Sequence, residues 1–349
     1  MRLAGFSIQP YRLPLAVPWE SAQGGFAVRE GWLIRLETGG GLVGYGDCAP
    51  LPQAGTEGRA CAASRLAECA AFLSGMALEV ALASLDGIAG AAPAVRCGLE
   101  TALLDLLSQQ AGLGLARWLN PVSSPSVKVN AMIGALDRQS LSRAQAAAAA
   151  GFNVLKLKVG LAPVRHELAL LCDLAGGLPA GICLRLDANR AWSEAEAAVF
   201  LGALSGLPVE SVEDPLDRPD VAGLGRLQAG VAFPLAADET LPVLGAEALL
   251  AQRPVRRLVL KPMVLGGLRP ALALANRARD AGMECVVTTT VDSAAGVHSA
   301  LHLAAAVANG LAHGLATSSW LVRDVGFPPQ RVGGMLEIGR GTGLGFIAR

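Results

Sequence analysis

Histidine, charged residues and paired cysteines are all scarce in this 349-residue chain. It has 4 histidines, 17% charged residues and 7 cysteines with no CxxC pair, so neither a disulfide framework nor a cysteine-rich zinc site is predicted. Lys+Arg and Asp+Glu are equal at 29 each, which argues against nucleic acid or an anionic membrane as a partner. No uncharged apolar run of about 18 residues occurs, so no membrane span is predicted.

The N-terminus does not resemble an export signal. Its first 15 residues are interrupted by Arg2, Gln9, Pro10 and Arg12, whereas a signal peptide has a continuous apolar segment. We therefore expect a cytoplasmic protein. Hydrophobic residues make up 52% of the chain, and the length suits a barrel of roughly 200–250 residues with a smaller domain beside it.

From about residue 126 onward, short apolar segments rich in β-branched residues alternate with helical segments rich in Ala and Leu. The segment starts are roughly 23–30 residues apart, as in successive βα units. The predicted strands are 126–134, 153–160, 182–189, 209–215, 234–239, 257–262, 284–290 and a weak 314–318. Residues 193–206 predict one of the intervening helices, with Ser193 as its N-cap. Eight such units favour a TIM-type α/β barrel over a doubly wound sheet.

The regions on either side of this repeat have a different pattern. Strand-like segments at 1–13, 30–38 and 41–49, with a turn at 38–41 and a helix at 96–112, predict an antiparallel sheet with helices. After residue 320 the chain becomes glycine-rich and strand-like. We predict the N-terminal part of an α+β capping domain at 1–122, a barrel at 123–320, and a tail at 321–349 that returns to the capping domain.

Three glycines match the GxGxxG pattern of dinucleotide-binding proteins: Gly39, Gly41 and Gly44. That motif follows a strand and opens a helix. Here residues 42–45 continue as a strand instead, so we interpret the glycines as part of a hairpin. No nucleotide cofactor is expected.

Ionisable or amide residues lie at the carboxyl ends of successive predicted strands, where barrel enzymes carry their chemistry. They are Lys156 and Lys158 on the second strand, Asp187 and Asn189 on the third, Glu213 on the fourth, Asp238 on the fifth and Lys261 on the sixth. Each alone has an ordinary alternative as a turn former, helix cap or edge-strand charge, and Asp214 and Glu239 could be loop acids facing water. Together, they are predicted to surround one mouth of the barrel.

Three carboxylates that converge in a buried site require a counter-ion. Asp187, Glu213 and Asp238 offer hard oxygen ligands from separate strands, which suits Mg²⁺, with Mn²⁺ as a substitute. No histidine belongs to this group, so zinc and iron are not predicted. His302 and His313 are expected to be structural.

The second and sixth strands lie on opposite sides of a barrel, so Lys158 and Lys261 are predicted to face each other across the metal. A lysine near other cations has its neutral form favoured and can act as a base, and we expect Lys156 to lower the pKa of Lys158 in this way. The predicted chemistry is abstraction of the proton α to a carboxylate on a small substrate, through a metal-stabilised enediolate.

Five ordered motifs resemble those of the enolase superfamily, in particular its muconate-lactonizing subgroup. They are LKLKVG (155–160), LRLDANRAW (184–192), VEDPL (212–216), ADET (237–240) and LKPMVLGG (260–267). The resemblance implies a (β/α)7β barrel capped by an α+β domain from both termini. It also implies that capping-domain loops near 15–30 and 50–57 close over the substrate.

The same resemblance assigns roles to the strand-end residues. It implies that Lys158 is the acid/base and Lys261 the opposing lysine. Asp187, Glu213 and Asp238 would be the metal ligands, with Asn189 behind the first of them.

Within the subgroup, residues 29–37, 44–57, 288–300 and 313–324 look most like o-succinylbenzoate synthases of menaquinone or phylloquinone biosynthesis. These lyases dehydrate a cyclohexadiene carboxylate, SHCHC. By resemblance, Lys158 would abstract the α-proton and then protonate the departing hydroxyl, while Lys261 stays protonated and holds the anion. Dipeptide epimerases of the subgroup carry Asp-x-Asp after the eighth strand, where this chain has ATSS (316–319).

The chain departs from many such synthases after the seventh strand, where they have Glu-Ser-Ser and it has Val291-Asp292-Ser293. Asp292 and Ser293 are expected to lie at or just behind the substrate. The alternative is an N-succinylamino acid racemase or dipeptide epimerase on the same site, and the remote alternative is a non-catalytic binding protein. The Ala- and Leu-rich barrel exterior is compatible with a homo-oligomer.

Overall fold

The computed structural model describes residues 1–21 and 24–349. Its N-terminal unit is a three-stranded antiparallel sheet followed by four helices, as the alternating pattern predicts. The strands, in sheet order, are β1 (Leu3–Ser21), β2 (Gly24–Thr38) and β3 (Val43–Cys48). The helices are α1 (Arg59–Leu73), α2 (Leu78–Ala89), α3 (Pro93–Gln110) and α4 (Leu115–Leu119). The predicted turn joins β2 to β3, with the Gly41 N–H donating to the Thr38 carbonyl at 2.9 Å.

Helix α3 packs directly on β3 because glycines let the two backbones approach closely. A Cβ atom at Gly46 would lie 2.8 Å from the carbonyl carbon of Gly98 on α3. Gly44, the last glycine of the GxGxxG match, faces the Ala102 backbone in the same contact. Gly39 and Gly41 are in the hairpin turn as expected, whereas Gly44 serves helix–sheet packing.

The second unit is built around one curled sheet of seven parallel strands. It follows the short strand β4 (Ser126–Lys128). The parallel strands, adjacent in chain order, are β5 (Ala131–Ala135), β6 (Val154–Lys158), β7 (Cys183–Asp187), β8 (Val209–Glu213), β9 (Leu235–Ala237), β10 (Arg257–Leu260) and β11 (Glu284–Val287). The helices are α5 (Ser140–Ala149), α6 (Val164–Gly176), α7 (Glu194–Gly202), α8 (Val221–Ala229), α9 (Thr240–Leu244), α10 (Ala246–Gln252), α11 (Pro262–Leu265), α12 (Leu268–Asp280) and α13 (Ala294–Val307).

The predicted eighth strand is reduced to two paired residues. His313 forms a parallel bridge with Val129, just before β5, and Gly314 forms one with Thr288, just after β11. The ring of strands is therefore joined on both sides of this short segment, which is consistent with a TIM-type barrel. The N-terminal antiparallel unit is separate from that sheet, as the capping-domain prediction requires.

The predicted strand 126–134 is divided in two. Its first half, β4, pairs antiparallel with β13 (Met335–Glu337), which in turn pairs with β12 (Arg331–Val332). Only the second half, β5, joins the parallel sheet. The division follows the hydrogen bonds, because the Val129 N–H donates to Gly334 of the tail at 2.9 Å rather than to a barrel strand.

The C-terminal tail also contacts the N-terminal unit. The Phe346 and Tyr45 rings meet edge to face with centroids 5.2 Å apart, and the Leu344 N–H donates to Asp105 on α3 at 2.8 Å. The tail thus touches both units, and the boundaries near 122 and 320 stay a prediction.

Alternation along β6 decides which side chains reach the barrel interior. Leu155 and Leu157 are fully buried in the hydrophobic core between sheet and helices. Because successive side chains on a strand point to opposite faces, Lys156 and Lys158 point together toward the barrel axis. Across the two ranges that the structure describes, no helix combines the length and apolarity needed to cross a membrane.

Candidate active site

The register of the parallel sheet brings the predicted strand-end residues to one level. Lys158 on β6 pairs with Asp187 on β7, which pairs with Glu213 on β8. Asp238 directly follows β9 and Lys261 directly follows β10. A cavity of about 110 Å³ is lined by six of the predicted residues: Lys156, Lys158, Asp187, Asn189, Asp238 and Lys261.

Two lysines enter this cavity from different strands and each meets a different carboxylate. The Lys158 ammonium donates to Asp187 at 2.7 Å and to the side-chain oxygen of Asn189. The Lys261 ammonium pairs with Asp238. Strands β6 and β10 are separated by three strands in the ring, so these lysines approach from opposite sides. Both are largely buried, with side chains 9% and 16% exposed.

Lys156 has a different environment from the one expected of it. Its ammonium donates to Asp187 at 2.7 Å and to both oxygens of Glu213 at 2.8 Å. Burial lowers the pKa of Lys156, but these carboxylates and Asp238 outweigh burial and the net shift is upward. Lys156 therefore binds the carboxylates directly, and its effect on the pKa of Lys158 stays a prediction.

Asp214 does not face water, so that interpretation was wrong for it, whereas Glu239 is half-buried and lines the cavity. Asp214 is fully buried and accepts backbone N–H groups of Asp238, Glu239 and Thr240 at 3.2, 2.6 and 3.2 Å. Burial and the Glu239 carboxyl raise its pKa well above the ordinary value. Glu239 accepts the side-chain N–H of Asn189 at 3.0 Å. Asp214 thus orders the loop that carries Asp238.

The buried carboxylates have the chemistry of a hard-cation site. Asp187, Glu213 and Asp238 are 1%, 1% and 8% exposed. One ammonium, that of Lys156, reaches both Asp187 and Glu213, so a single cation can contact both. All-carboxylate oxygen donors suit Mg²⁺ or Mn²⁺.

The tightest group of carboxylates differs from the predicted ligand set. In the parts of the chain that the structure describes, the group whose carboxylate oxygens all lie within 4.8 Å of one another consists of Asp214, Asp238 and Glu239. Asp214 is engaged by three backbone N–H groups, so it is a weaker candidate ligand than the carboxylates beside the lysines.

Asp292 and Ser293 lie behind the cavity wall, not in it. Asp292 accepts the backbone N–H of Thr290 at 3.2 Å and is 3% exposed. The Ser293 N–H donates to Asp47 of the N-terminal unit at 3.0 Å. The short Asp292 side chain turns back to its own loop, so the cavity is lined there by residues 288–291.

Sequence reasoning missed an aromatic wall of the cavity. Trp19, Phe26 and Trp320 line the cavity, and the Trp19 ring lies 5.1 Å from Trp320 and 5.2 Å from the Lys158 ammonium. Trp19 and Phe26 fall in the 15–30 segment expected to cover the substrate, of which residues 22 and 23 lie outside the described residues.

One compositional signal was available for the lysines. The chain contains four lysines, and all except Lys128 line this cavity. Such a concentration of a rare residue type marks the site more sharply than the KxK pattern alone.

Two histidines are structural, as expected. His302 accepts the Ala116 N–H and His313 the Val287 N–H, each at 2.9 Å. Burial lowers the pKa of His302 to about 4 and that of His313 to about 3. Neither lines the cavity.

Comparison with known proteins agrees with this geometry. The family model described as Enolase C-terminal domain-like matches residues 139–348. A hydrophobic dipeptide epimerase from Enterococcus faecalis is 27% identical over 99% of each chain. An o-succinylbenzoate synthase from Desulfotalea psychrophila is 30% identical over 71% of this chain and 69% of its own. A solved structure of the Enterococcus faecalis dipeptide epimerase, complexed with Mg and L-Leu-L-Tyr, is similar with a TM-score of 0.91, 27% identity and 99% coverage of both chains.

These relatives differ in the reactions that their names describe, so they leave open the assignment within the superfamily. The predicted superfamily itself is confirmed, because its model matches more than half of the residues. The chain belongs to the enolase superfamily.

Proposed function

We propose that this protein is a Mg²⁺-dependent enzyme that removes and returns the proton α to a carboxylate, racemising or epimerising an N-acylated amino acid. The placement of Lys158 and Lys261 on opposite sides of one cavity carries the proposal. Inversion at a stereocentre is achieved when one group takes a proton from one face and another delivers a proton to the opposite face. The dipeptide epimerases among the relatives support the same chemistry.

Asp187, Glu213 and Asp238 would hold the Mg²⁺. When bound, the ion supplies positive charge that stabilises the negative charge developing on the substrate carboxylate. Lys156 holds Asp187 and Glu213 in position through its contacts of 2.7 and 2.8 Å.

The two lysines would share the proton transfer. Lys261, which pairs with Asp238, would deliver the proton to one face. Lys158 would take the proton from the opposite face, oriented by Asn189. The roles exchange when the other enantiomer reacts.

The remaining cavity wall favours a substrate without a free ammonium. Among the described side chains, the acids that line the cavity are Asp187 and Asp238, which are proposed metal ligands, and Glu239, which accepts the side-chain N–H of Asn189. The wall contributed by Ala316, Thr317 and Trp320 is neutral, and the lining outside the strand-end group and Glu239 is also uncharged. A substrate whose acyl group carries no ammonium suits this uncharged wall, whereas a dipeptide would have to leave its own ammonium unpaired there.

A second candidate function is the dehydration of SHCHC to o-succinylbenzoate. Two observations favour it: the relative of that name at 30% identity, and the acid-free wall. In that reaction Lys158 would remove the α-proton and then protonate the departing hydroxyl on the same face. Lys261 would stay protonated and hold the anion.

The deciding experiment incubates the Mg²⁺-loaded protein in D₂O with each enantiomer of N-succinylamino acids, with dipeptides, and separately with SHCHC. We expect deuterium at the α-carbon together with loss of optical purity for the N-succinylamino acids. Turnover of SHCHC without α-exchange on any amino acid derivative would replace the main proposal with the second. No turnover of either class would contradict both.

Variants at the two lysines separate the faces. Lys158→Met should slow α-proton exchange of one enantiomer by roughly 10²- to 10⁴-fold, which is the ordinary contribution of a general base. Lys261→Met should slow it to a similar extent for the other enantiomer. Lys261→Arg should stop racemisation in a two-base enzyme but leave much of a dehydratase activity. Lys128→Met, which changes the exposed lysine outside the cavity, is the matched control.

A further inference from the structure

Two buried ionisable side chains extend from the N-terminal unit to the loop that follows β11. Arg29 on β2 is 2% exposed, and its guanidinium donates to the Val291 carbonyl at 3.2 Å. Asp47 on β3 is also 2% exposed and accepts the Ser293 N–H at 3.0 Å. Tyr11 on β1 fixes Asp47 by donating its hydroxyl at 2.6 Å. The two side chains thus hold the loop at points two residues apart.

Arg29 also holds a second wall of the cavity. Its remaining N–H groups donate to the carbonyls of Ala49 at 2.7 Å and Pro50 at 3.1 Å. The residues that follow directly, including Leu51 and Gln53, line the cavity, as do residues 288–291 on the barrel side. One guanidinium therefore sets the distance between two walls that belong to different units of the fold.

The backbone at Val291 shows why such support is needed. Val291 has φ +61°, a left-handed conformation that is unfavourable for a β-branched residue. Strained backbone of this kind persists only where its surroundings determine it strongly. Arg29 binds the carbonyl of the strained residue, and Asp47 binds the amide two positions later.

We infer that Arg29 and Asp47 are positioning residues that set the shape of the substrate cavity through Val291. They touch neither the lysines nor the carboxylates at the strand ends, so their effect is on where the distal part of the substrate lies. The inference rests on the proposed function for its kinetic consequence only, because the loop geometry can be measured without a substrate.

The test compares Arg29→Met with Arg29→Lys and with the control Arg35→Met. Arg35 lies on the same strand, but its side chain is 39% exposed and pairs with Glu37. We expect Arg29→Met to raise KM for the proposed substrate on the order of 10- to 100-fold with a smaller change in kcat, as expected when distal binding is lost. Arg29→Lys should recover part of the loss, since one ammonium can reach one of the two walls. Arg35→Met should match the wild type.

Hydrogen exchange of the folded variants provides the independent readout. Arg29→Met should speed exchange at the amides of Thr290 and Ser293, which are hydrogen-bonded in the wild type. In a Val291→Gly background the same change should have a smaller effect, because glycine adopts positive φ without strain.

Two outcomes overturn the inference. One is that amide hydrogens of residues 288–293 exchange at the wild-type rate in a folded Arg29→Met protein. The other is an equal effect of Arg29→Met with and without Val291→Gly. If the wild type turns over none of the proposed substrates, the proposed function fails. The comparison of amide hydrogen exchange still decides this inference, because it needs no substrate. If Arg29→Met does not fold, the same exchange comparison is made with Arg29→Lys.

Discussion

Replacing Lys156 with methionine tests whether the strand-end carboxylates form a cation site. The Lys156 ammonium contacts Asp187 at 2.7 Å and Glu213 at 2.8 Å, and its side chain is 13% exposed. Methionine retains an apolar stem of similar length but removes the charge. In Lys156→Met, Asp187 still has Lys158 as a partner, whereas Glu213 loses a directly bonded cation.

The size of the effect follows from this pairing. Removing one member of a buried ion pair costs about 3–5 kcal/mol, and since Asp187 remains paired we expect about 3 kcal/mol in the metal-free protein. That corresponds to a fall in Tm of several degrees, given roughly 2–4 °C per kcal/mol in proteins of about 150–250 residues. Mg²⁺ at about 100 times its Kd would return about 2.7 kcal/mol. The variant should therefore gain more stability from Mg²⁺ than the wild type, in which Lys156 already neutralises the same oxygens.

The assay is thermal unfolding of wild type, Lys156→Met and the control Lys128→Met, each in EDTA and in excess MgCl₂. We expect Lys156→Met to have a low Tm in EDTA that recovers toward the wild-type value with Mg²⁺. The control Lys128→Met should have the Tm of the wild type in both conditions. An equal rise in Tm with Mg²⁺ in all three proteins would refute the reasoning. So would full stability of Lys156→Met in EDTA.

Two further predictions concern the N-terminal unit. Gly46→Ala should destabilise the protein by about 3 kcal/mol, because the new methyl group meets the Gly98 backbone rather than a movable side chain. In the control Gly40→Ala, the nearest neighbour of the new methyl group lies 3.8 Å away, so Tm should stay unchanged. Equal Tm values for the two variants would contradict this account of the packing. Burial and the Asp292 carboxylate raise the pKa of Asp47 to about 7. Between its unfolded value near 4 and this value the folded protein binds more protons, so stability should fall as pH rises from about 4 to 7, by up to about 4 kcal/mol. Urea unfolding across that range should show this slope in the wild type and a flatter one in Asp47→Asn.

The strand-end positions of the candidate site residues were predictable, because alternation along a strand is a local property and successive barrel strands end at the same face. On β6, buried Leu155 and Leu157 leave the two intervening lysines on the other face, and parallel pairing then aligns Lys158 with Asp187. The start of helix α7 was equally predictable from the sequence, since the predicted cap Ser193 forms a reciprocal capping box with Glu196.

The parts that were missed depend on contacts between distant segments. Asp214 is buried because the loop after β9 folds over it with three N–H groups, which no spacing within its own strand indicates. Trp19 reaches the cavity only because the N-terminal unit packs over the barrel mouth. Asp292 turns away from the cavity because it bonds to Thr290 in its own loop.

The short eighth segment of the ring has a consequence for how substrate preference can change. Only His313 and Gly314 are paired there, so the residues that follow are free of the hydrogen-bonding pattern of a strand. Ala316, Thr317 and Trp320 then line the cavity. Substitutions at these positions can alter the ligand contacts while the barrel stays closed through the two paired residues, which makes this segment a place where new specificity can arise at little risk to folding.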